Sequence, residues 1–499
     1  MNFAAAGIDI GRALPQFRQE EPTPREGRAV TAIVDFLNNI LWNYVLVYGL
    51  LAVGIYFTAR LGFLQFVHFG EMFRVIAKSE ETDKHGISPF QALTISLASR
   101  VGTGNIAGVA VALSLGGPGA IFWMWMVALV GMATAYSEST LAQLYKVENS
   151  EGQYRGGPAF YIARGLRAPW AGGLFSIFLI ISFGLVFNAV QANSIADAVE
   201  GAFGVPKLWV GLVVAVMAGV VIFGGIRQIA RVAQVVVPVM AGLYLLMAAI
   251  VLAMNISEVP GVVGMIFAHA FGLQEAGAGV AGGIMAAMLN GVKRGLFSNE
   301  AGMGSAPNIA AVATPQPHHP SSQGFVQALG VFIDTIVICT ATAIMILLSD
   351  VYQIGGDIEG ATLTQNALQE QFGVFGLYFI AIAIFFFAFT SIIGNYSYAE
   401  NAMTFLRADN TVALGVLRFA LLGMVVWGAY ESVATVFNAA DASMGLMATI
   451  NLIAIVLLSG TVVKLTRDYF AQRKAGKSPR FEARDYPELQ GKIDKNIWS

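Results

Sequence analysis

Charge is scarce in this chain. Asp, Glu, Lys and Arg make up 12% of its 499 residues, about half the share usual in a soluble domain. Hydrophobic residues reach 56% and mean hydropathy is +0.66, more apolar surface than a soluble core can enclose. Cysteine is nearly missing as well. Cys339 stands alone, which excludes an internal disulfide, a cysteine-ligated metal cluster and a redox pair. Inside an apolar run it reads as a small buried hydrophobe. The motifs of catalysis are also wanting: there is no Gly-x-x-x-x-Gly-Lys-Ser/Thr, no His-Glu-x-x-His and no Gly-x-Ser-x-Gly. A Gly-x-Gly-x-x-Gly at Gly277, Gly279 and Gly282 leads into a membrane helix without a preceding strand, so it is not a dinucleotide fingerprint. His318 and His319 sit in a Pro-rich loop without acidic neighbours in sequence and read as solvated. No enzyme activity and no organic cofactor are expected, and no nucleic-acid or obligate protein partner.

What the chain does have is length of apolar run. Runs of about 20 residues let a helix cross a hydrocarbon core of about 30 Å. About eleven candidate spans fall near 38–60, 88–114, 119–144, 171–198, 207–224, 233–254, 279–311, 325–349, 372–405, 412–429 and 433–463. The fold class is therefore an all-α polytopic membrane protein, with the lipid bilayer as its surroundings. The expected organisation is an N-terminal arm over 1–37, an extra transmembrane helix over 38–60, a five-helix set over 88–254, a second over 279–463, and a tail over 464–499. The arm carries Pro15, Pro22 and Pro24 and lacks the apolar core of a signal peptide. The tail carries nine Lys or Arg and is expected in water near headgroups.

Alternate loops differ in sign. Arg60, Arg74, Lys78 and Lys84 follow the first span, Lys146, Arg155, Arg164 and Arg167 the third, Arg227 and Arg231 the fifth, and Arg407 the ninth. Asp350, Asp357, Glu359 and Glu370 follow the eighth, and Glu258 and Glu275 the sixth, with Lys207 the lone cation of that set. Cationic loops stay in the cytoplasm. The N-terminus is thus expected outside and the C-terminus in the cytoplasm, although the arginines of the arm oppose this. After one extra helix, two sets of five necessarily run in opposite orientation, so an inverted repeat is the arrangement expected.

The second, seventh and ninth spans exceed what a membrane requires, which suggests a break or a protruding end. The first helix of the first set reads Ser99-Arg-Val-Gly-Thr-Gly-Asn-Ile-Ala-Gly108. The first helix of the second set reads Gly295-Leu-Phe-Ser-Asn-Glu-Ala-Gly-Met-Gly-Ser-Ala-Pro307. Both are polar and glycine-rich inside apolar spans. In inverted-repeat transporters the binding site lies where corresponding helices unwind. Freed N–H groups hold a carboxylate there, and freed C=O groups hold an ammonium or Na+. A lone Gly-x-Gly would more simply serve close helix packing; two in matching positions point to a site for an amino acid zwitterion.

Val101-Gly-Thr-Gly-Asn-Ile-Ala-Gly-Val-Ala110, Gly116-Gly-Pro-Gly119, Gln191-Ala-Asn-Ser-Ile-Ala196 and Arg294-Gly-Leu-Phe-Ser-Asn-Glu-Ala-Gly-Met-Gly-Ser-Ala306 resemble the alanine or glycine:cation symporter family. Its members share the LeuT-type fold. The resemblance covers nearly the whole chain after the arm. It implies that amides at Gly102, Thr103 and Gly104 receive a substrate carboxylate, with Asn105 ligating or bracing the cation. It also implies a Na+ site of carbonyls near Ala98 and Val101 and hydroxyls of Thr390 and Ser391, oxygen donors that suit a hard cation. Its first and sixth core helices are expected to be broken.

Asn188 and Gln191 lie one turn apart and can both face the pocket, or can serve as glue between helices. Phe297 is placed to cap the side-chain end, with Ser298 and Asn299 as polar contacts, though core packing of Phe297 is the plainer alternative. Arg100 stands where the family pattern has a small residue. Glu138, Glu300, Asp334, Glu400 and Asp441 also lie within spans and require partners or water. Glu300 would neutralise Lys293 or Arg294, or carry a coupling proton.

The function that the resemblance implies is symport of a small neutral amino acid, alanine or glycine, with Na+ across the plasma membrane, the inner membrane if the source is bacterial. Coupling to H+ and an ion channel are the alternatives. A channel would conduct without an amino acid, and no repeated filter sequence is evident.

Overall fold

A computed structural model describes residues 25–77, 85–149, 152–273, 279–353 and 360–498. Lys78, Lys84, Glu275, Asp357 and Glu359, counted above in loops, lie outside them, as does most of the N-terminal arm. Eight helices are long and apolar enough to span a membrane: Ala32–Arg60 (α1), Gly119–Leu144, Pro169–Phe203, Gly225–Met254, Pro320–Leu347, Val374–Phe405, Thr411–Tyr430 and Val433–Leu457. Gly104–Gly116, Lys207–Ile222 and Val259–Ala270 are shorter apolar helices.

The order of elements repeats. The first series runs from Pro89–Arg100 (α2) and, after a break, Gly104–Gly116 (α3), through Gly119–Leu144 (α4), a short Pro158–Gly165 (α5) and the long Pro169–Phe203 (α6), to Lys207–Ile222 (α7) and Gly225–Met254 (α8). Val259–Ala270 (α9) connects the two series. The second runs from Gly279–Asn299 (α10) and, after a break, Pro307–Val312 (α11), through Pro320–Leu347 (α12), a short Gly360–Phe372 (α13) and the long Val374–Phe405 (α14), to Thr411–Tyr430 (α15) and Val433–Leu457 (α16). Ser459–Lys474 (α17) follows. This is the five-plus-five arrangement with both first helices interrupted.

Local chemistry sets the boundaries. α2 starts at Pro89 behind a reciprocal Ser88–Gln91 cap, each backbone N–H donating 3.1 Å to the other's side-chain oxygen. Asn410 and Ser432 cap α15 and α16 through Ala413 N–H and Thr435 N–H. Small residues let helices approach closely. A Cβ at Gly428 would strike the Ala189 backbone, which is how α15 lies against α6. The 372–405 span is one unbroken helix, α14, set off from α13 by Gly373 (φ 61), and residues 25–37 of the N-terminal arm are helical and run into α1.

The tail folds back on the bundle, where Phe481 and Trp498 are fully buried. Trp498 Nε1 donates to Leu144 O at 3.1 Å, and the Phe481 amide to His318 O at 2.9 Å. Burying such a ring contributes about 1.5–3 kcal/mol. His319, expected in solvent, is buried too: it caps α12 at Ser321 N–H and lies 3.2 Å from Asp468 of α17.

Candidate substrate and cation site

α2 ends at Arg100, and Val101 leaves the helix at φ −76, ψ 85. In a continuous helix the Gly102 and Thr103 amides would close on the carbonyls of Ala98 and Ser99. Here Gly102 N–H donates to Asn105 Oδ1 and Thr103 N–H to Gln191 Oε1, each at 3.0 Å. The Ala98 carbonyl is thereby released, and Ser391 Oγ on α14 donates to it at 2.8 Å.

The second break is more contorted. α10 ends at Asn299; Glu300 then adopts a left-handed φ of 58°, followed by Gly302 at 90° and Gly304 at 85°. A non-glycine residue in that region costs about 1–3 kcal/mol and is found where surrounding structure insists on it. Asn299 Oδ1 accepts from Ala301 N–H at 3.0 Å, and its buried Nδ2 has no partner among the described residues.

The two breaks touch. A Cβ on Gly104 would lie 3.1 Å from the Phe297 ring and 3.2 Å from Ser298 Cα; one on Gly102 would collide with Ser391 Oγ and Gln191 Oε1. Glycine is needed at both because other chain segments come that near. Asp334 on α12 joins the breaks: its Oδ1 accepts from Asn105 Nδ2, and its Oδ2 from Ser298 Oγ and Thr335 Oγ1, all at 2.7 Å. A second chain of contacts runs through Ser99 Oγ, 2.9 Å from Glu300 Oε1 and 2.6 Å from Asn395 Oδ1, so its one proton serves either. Wide π-type turns at 104–108, 180–186 and 332–339 carry Asn105, the carbonyls that hold Asn188, and Asp334; such turns collect at functional sites.

Residues 27–483 match the sodium:alanine symporter family. The chain belongs to that family. It is a multi-pass membrane transporter rather than an enzyme. It is 49% identical over 459 residues to the amino-acid carrier protein AlsT of Bacillus subtilis, covering 92% of this chain and 96% of that one. It is 48% identical over 450 residues to a probable sodium/glutamine symporter, GlnT, of the same organism, covering 90% and 92%. To the sodium/alanine symporter AgcS of Methanococcus maripaludis it is 40% identical over 453 residues, covering 89% and 98%.

In the symporter Gly102, Thr103, Gly104, Asn105, Gln191, Phe297 and Ser298 come together, along with Ala98 and Ser391. Phe297 stacks on Phe187 (ring centroids 4.7 Å apart, 14° between planes) and lies 5.4 Å from Phe437. Asn188 does not reach the freed amides. Its Nδ2 donates to Phe183 O and Gly184 O of its own helix, and its Oδ1 accepts from Asn395 at 3.1 Å. Thr390 donates to Phe387 O within α14 at 2.9 Å, beside Ser391. Cys339 is buried as expected and lies 3.2 Å from Ser298 Oγ.

Of the intramembrane charges, Glu300 does not make the pairing with Lys293 or Arg294 that was one of its two expected roles. Lys293 and Arg294 both bind Asp441 Oδ2, at 2.6 and 2.5 Å, and not Glu300. Glu400 pairs with Arg155 at 3.1 Å. Glu138 accepts from Gly302 N–H and Asn451 Nδ2. Arg100 forms no ion pair among the described residues: its Nη1 donates to Gln327 O at 3.3 Å, and its Nε and Nη2 are buried without partners. Asn395, which links Asn188 to Ser99, was not singled out in the sequence; an Asn four residues after Ser391 on an apolar helix is the signal that marks it.

Proposed function

We propose that this symporter carries a small neutral amino acid, alanine foremost, into the cell together with Na+ by alternating access at the paired breaks. The observation that carries the reading is the pair of amides at Gly102 and Thr103, released from helix α2 and held only by side-chain oxygens of Asn105 and Gln191. A substrate carboxylate can take the place of those oxygens without any backbone rearrangement. The Ala98 carbonyl and the Ser391 hydroxyl, with Val101 and Thr390 alongside, form the oxygen set for Na+. Asn299, with an unpartnered Nδ2, and Ser298 supply polar contacts from the opposite break. Phe297, packed between Gly104 and Phe187, limits the length of the substrate side chain.

Charge balance supports a cation. Glu138, Glu300, Asp334 and Asp441 stand against Arg100, Lys293 and Arg294, one acid more than the bases, and an uncompensated charge out of water is costly. An entering cation relieves that imbalance. Residues 88–254 and 279–463 would act as the two inverted halves that rock about the site. A cytoplasmic C-terminus and an outward N-terminus are the orientation that the cationic loops support. Because a relative of 48% identity is named for glutamine, the substrate is tested by competition rather than by name. Purified protein in proteoliposomes is given radiolabelled alanine under an inward Na+ gradient, a proton gradient, or neither. Accumulation with Na+ alone, displaced by unlabelled alanine or glycine, is the expected result. Accumulation with protons alone would reject Na+ coupling, and displacement by glutamine but not by alanine would reject the substrate.

A further inference from the structure

We infer that the groove between the end of α1 and helix α17 is a binding site for the headgroup of an anionic phospholipid. The groove measures about 630 Å³ and is lined by Arg60, His68, Arg467, Phe470 and Lys474. Arg60, Arg467 and Lys474 are exposed and form no ion pair among the described residues. The acids nearest in the fold are already engaged. Glu71 is held by Arg473 and Tyr469, and Asp468 by His319 and Gln472. Three positive charges therefore converge on one concave surface, and none of them is ion-paired with a carboxylate among the described residues.

The surroundings specify a lipid rather than a soluble anion. α1 is a 29-residue apolar span ending at Arg60, so the groove opens where hydrocarbon gives way to water. Its rim carries Phe63 and Phe66, each 55% exposed, and Val67, 66% exposed. Phe63 is turned outward by a left-handed backbone (φ 57) after Gly62. Acyl chains lie against these apolar side chains while the phosphate sits among the cations. Basic pockets beside transmembrane helices bind anionic headgroups in this way.

The test is lipid retention by the full-length protein, measured by native mass spectrometry after equilibration with mixed phosphatidylglycerol and phosphatidylcholine. The parent is expected to retain phosphatidylglycerol preferentially. Each cation near an anionic headgroup is worth about fivefold in affinity, so Arg60→Gln, Arg467→Gln and Lys474→Gln together should weaken retention about a hundredfold. The same charge removed elsewhere, by Arg227→Gln, Arg231→Gln and Arg407→Gln, should leave it within about twofold. Equal loss in both triple variants would show diffuse attraction and overturn the site, as would no preference for phosphatidylglycerol in the parent. Displacement of the lipid by glycerol phosphate alone would overturn the lipid assignment in favour of a soluble phosphate ligand.

Discussion

Replacing Ser391 with Ala removes one hydroxyl from a fully buried position, and the structure says what that hydroxyl does. It reaches from α14 to the Ala98 carbonyl at 2.8 Å, a carbonyl free only because Gly102 N–H has turned to Asn105. If the pair holds Na+, the variant loses a direct oxygen ligand to a charge. Hydrogen-bond-scale interactions with charged groups are worth about 1.5–3 kcal/mol, so the Na+ concentration giving half-maximal alanine uptake should rise about 10- to 150-fold. Linkage requires a reciprocal effect: at limiting Na+, the alanine half-saturation should rise as well. Thr390→Ala should shift Na+ dependence less, because the Thr390 hydroxyl bonds only to Phe387 O of its own helix. The assay is uptake into proteoliposomes as a function of Na+ at fixed alanine. A Ser391→Ala protein whose Na+ half-saturation moves by less than about twofold would refute the assignment.

Asn105→Ala should weaken uptake by about tenfold or more, since it uncaps the Gly102 amide and leaves Asp334 Oδ1 without its donor; unchanged Na+-dependent uptake would count against its role. Gly102→Ala drives a methyl group into Ser391 Oγ and Gln191 Oε1, at about 1–3 kcal/mol of strain, and should abolish uptake while the protein still elutes as a monodisperse species. Asp441→Ala leaves Lys293 and Arg294 without their shared carboxylate and should destabilise the bundle by about 3–5 kcal/mol, read as a lower melting temperature in detergent. Trp498→Ala should release the tail from Leu144 and speed tryptic cleavage after Arg480 and Arg484; equal cleavage rates would show that the ring does not anchor the segment.

Much of this was legible because lipid leaves so few options. Runs such as 119–144 coincide with their helix to the residue, since a membrane enforces both length and apolarity. The breaks at 101–103 and 300–306 were legible for the same reason, as polar and glycine-rich segments have no other excuse inside a span. Short connecting helices were not. Val259–Ala270 and Gly360–Phe372 are too brief for a span-length pattern. Side-chain pairing was illegible in principle: Asp441 lies 147 positions from Arg294, and no periodicity encodes such a meeting. Asn188 shows the same limit, since one-turn spacing from Gln191 placed both on one face, but the wide turn at 180–186 supplied carbonyls that captured its amide. The tail's nine cations predict a segment outside the hydrocarbon, but its docking on the bundle through Phe481 and Trp498 depends on contacts distant in sequence, with Leu144 and His318.

The central claim is that Na+ and an amino acid cross together through the paired breaks. Entry of radioactive sodium and of labelled alanine should therefore be followed in the same proteoliposomes, with the membrane potential clamped. The account expects sodium entry above the protein-free baseline only when alanine is present, in a fixed ratio to alanine entry, with both lost in Gly102→Ala. Sodium entry without alanine, or alanine accumulation without sodium, would contradict it.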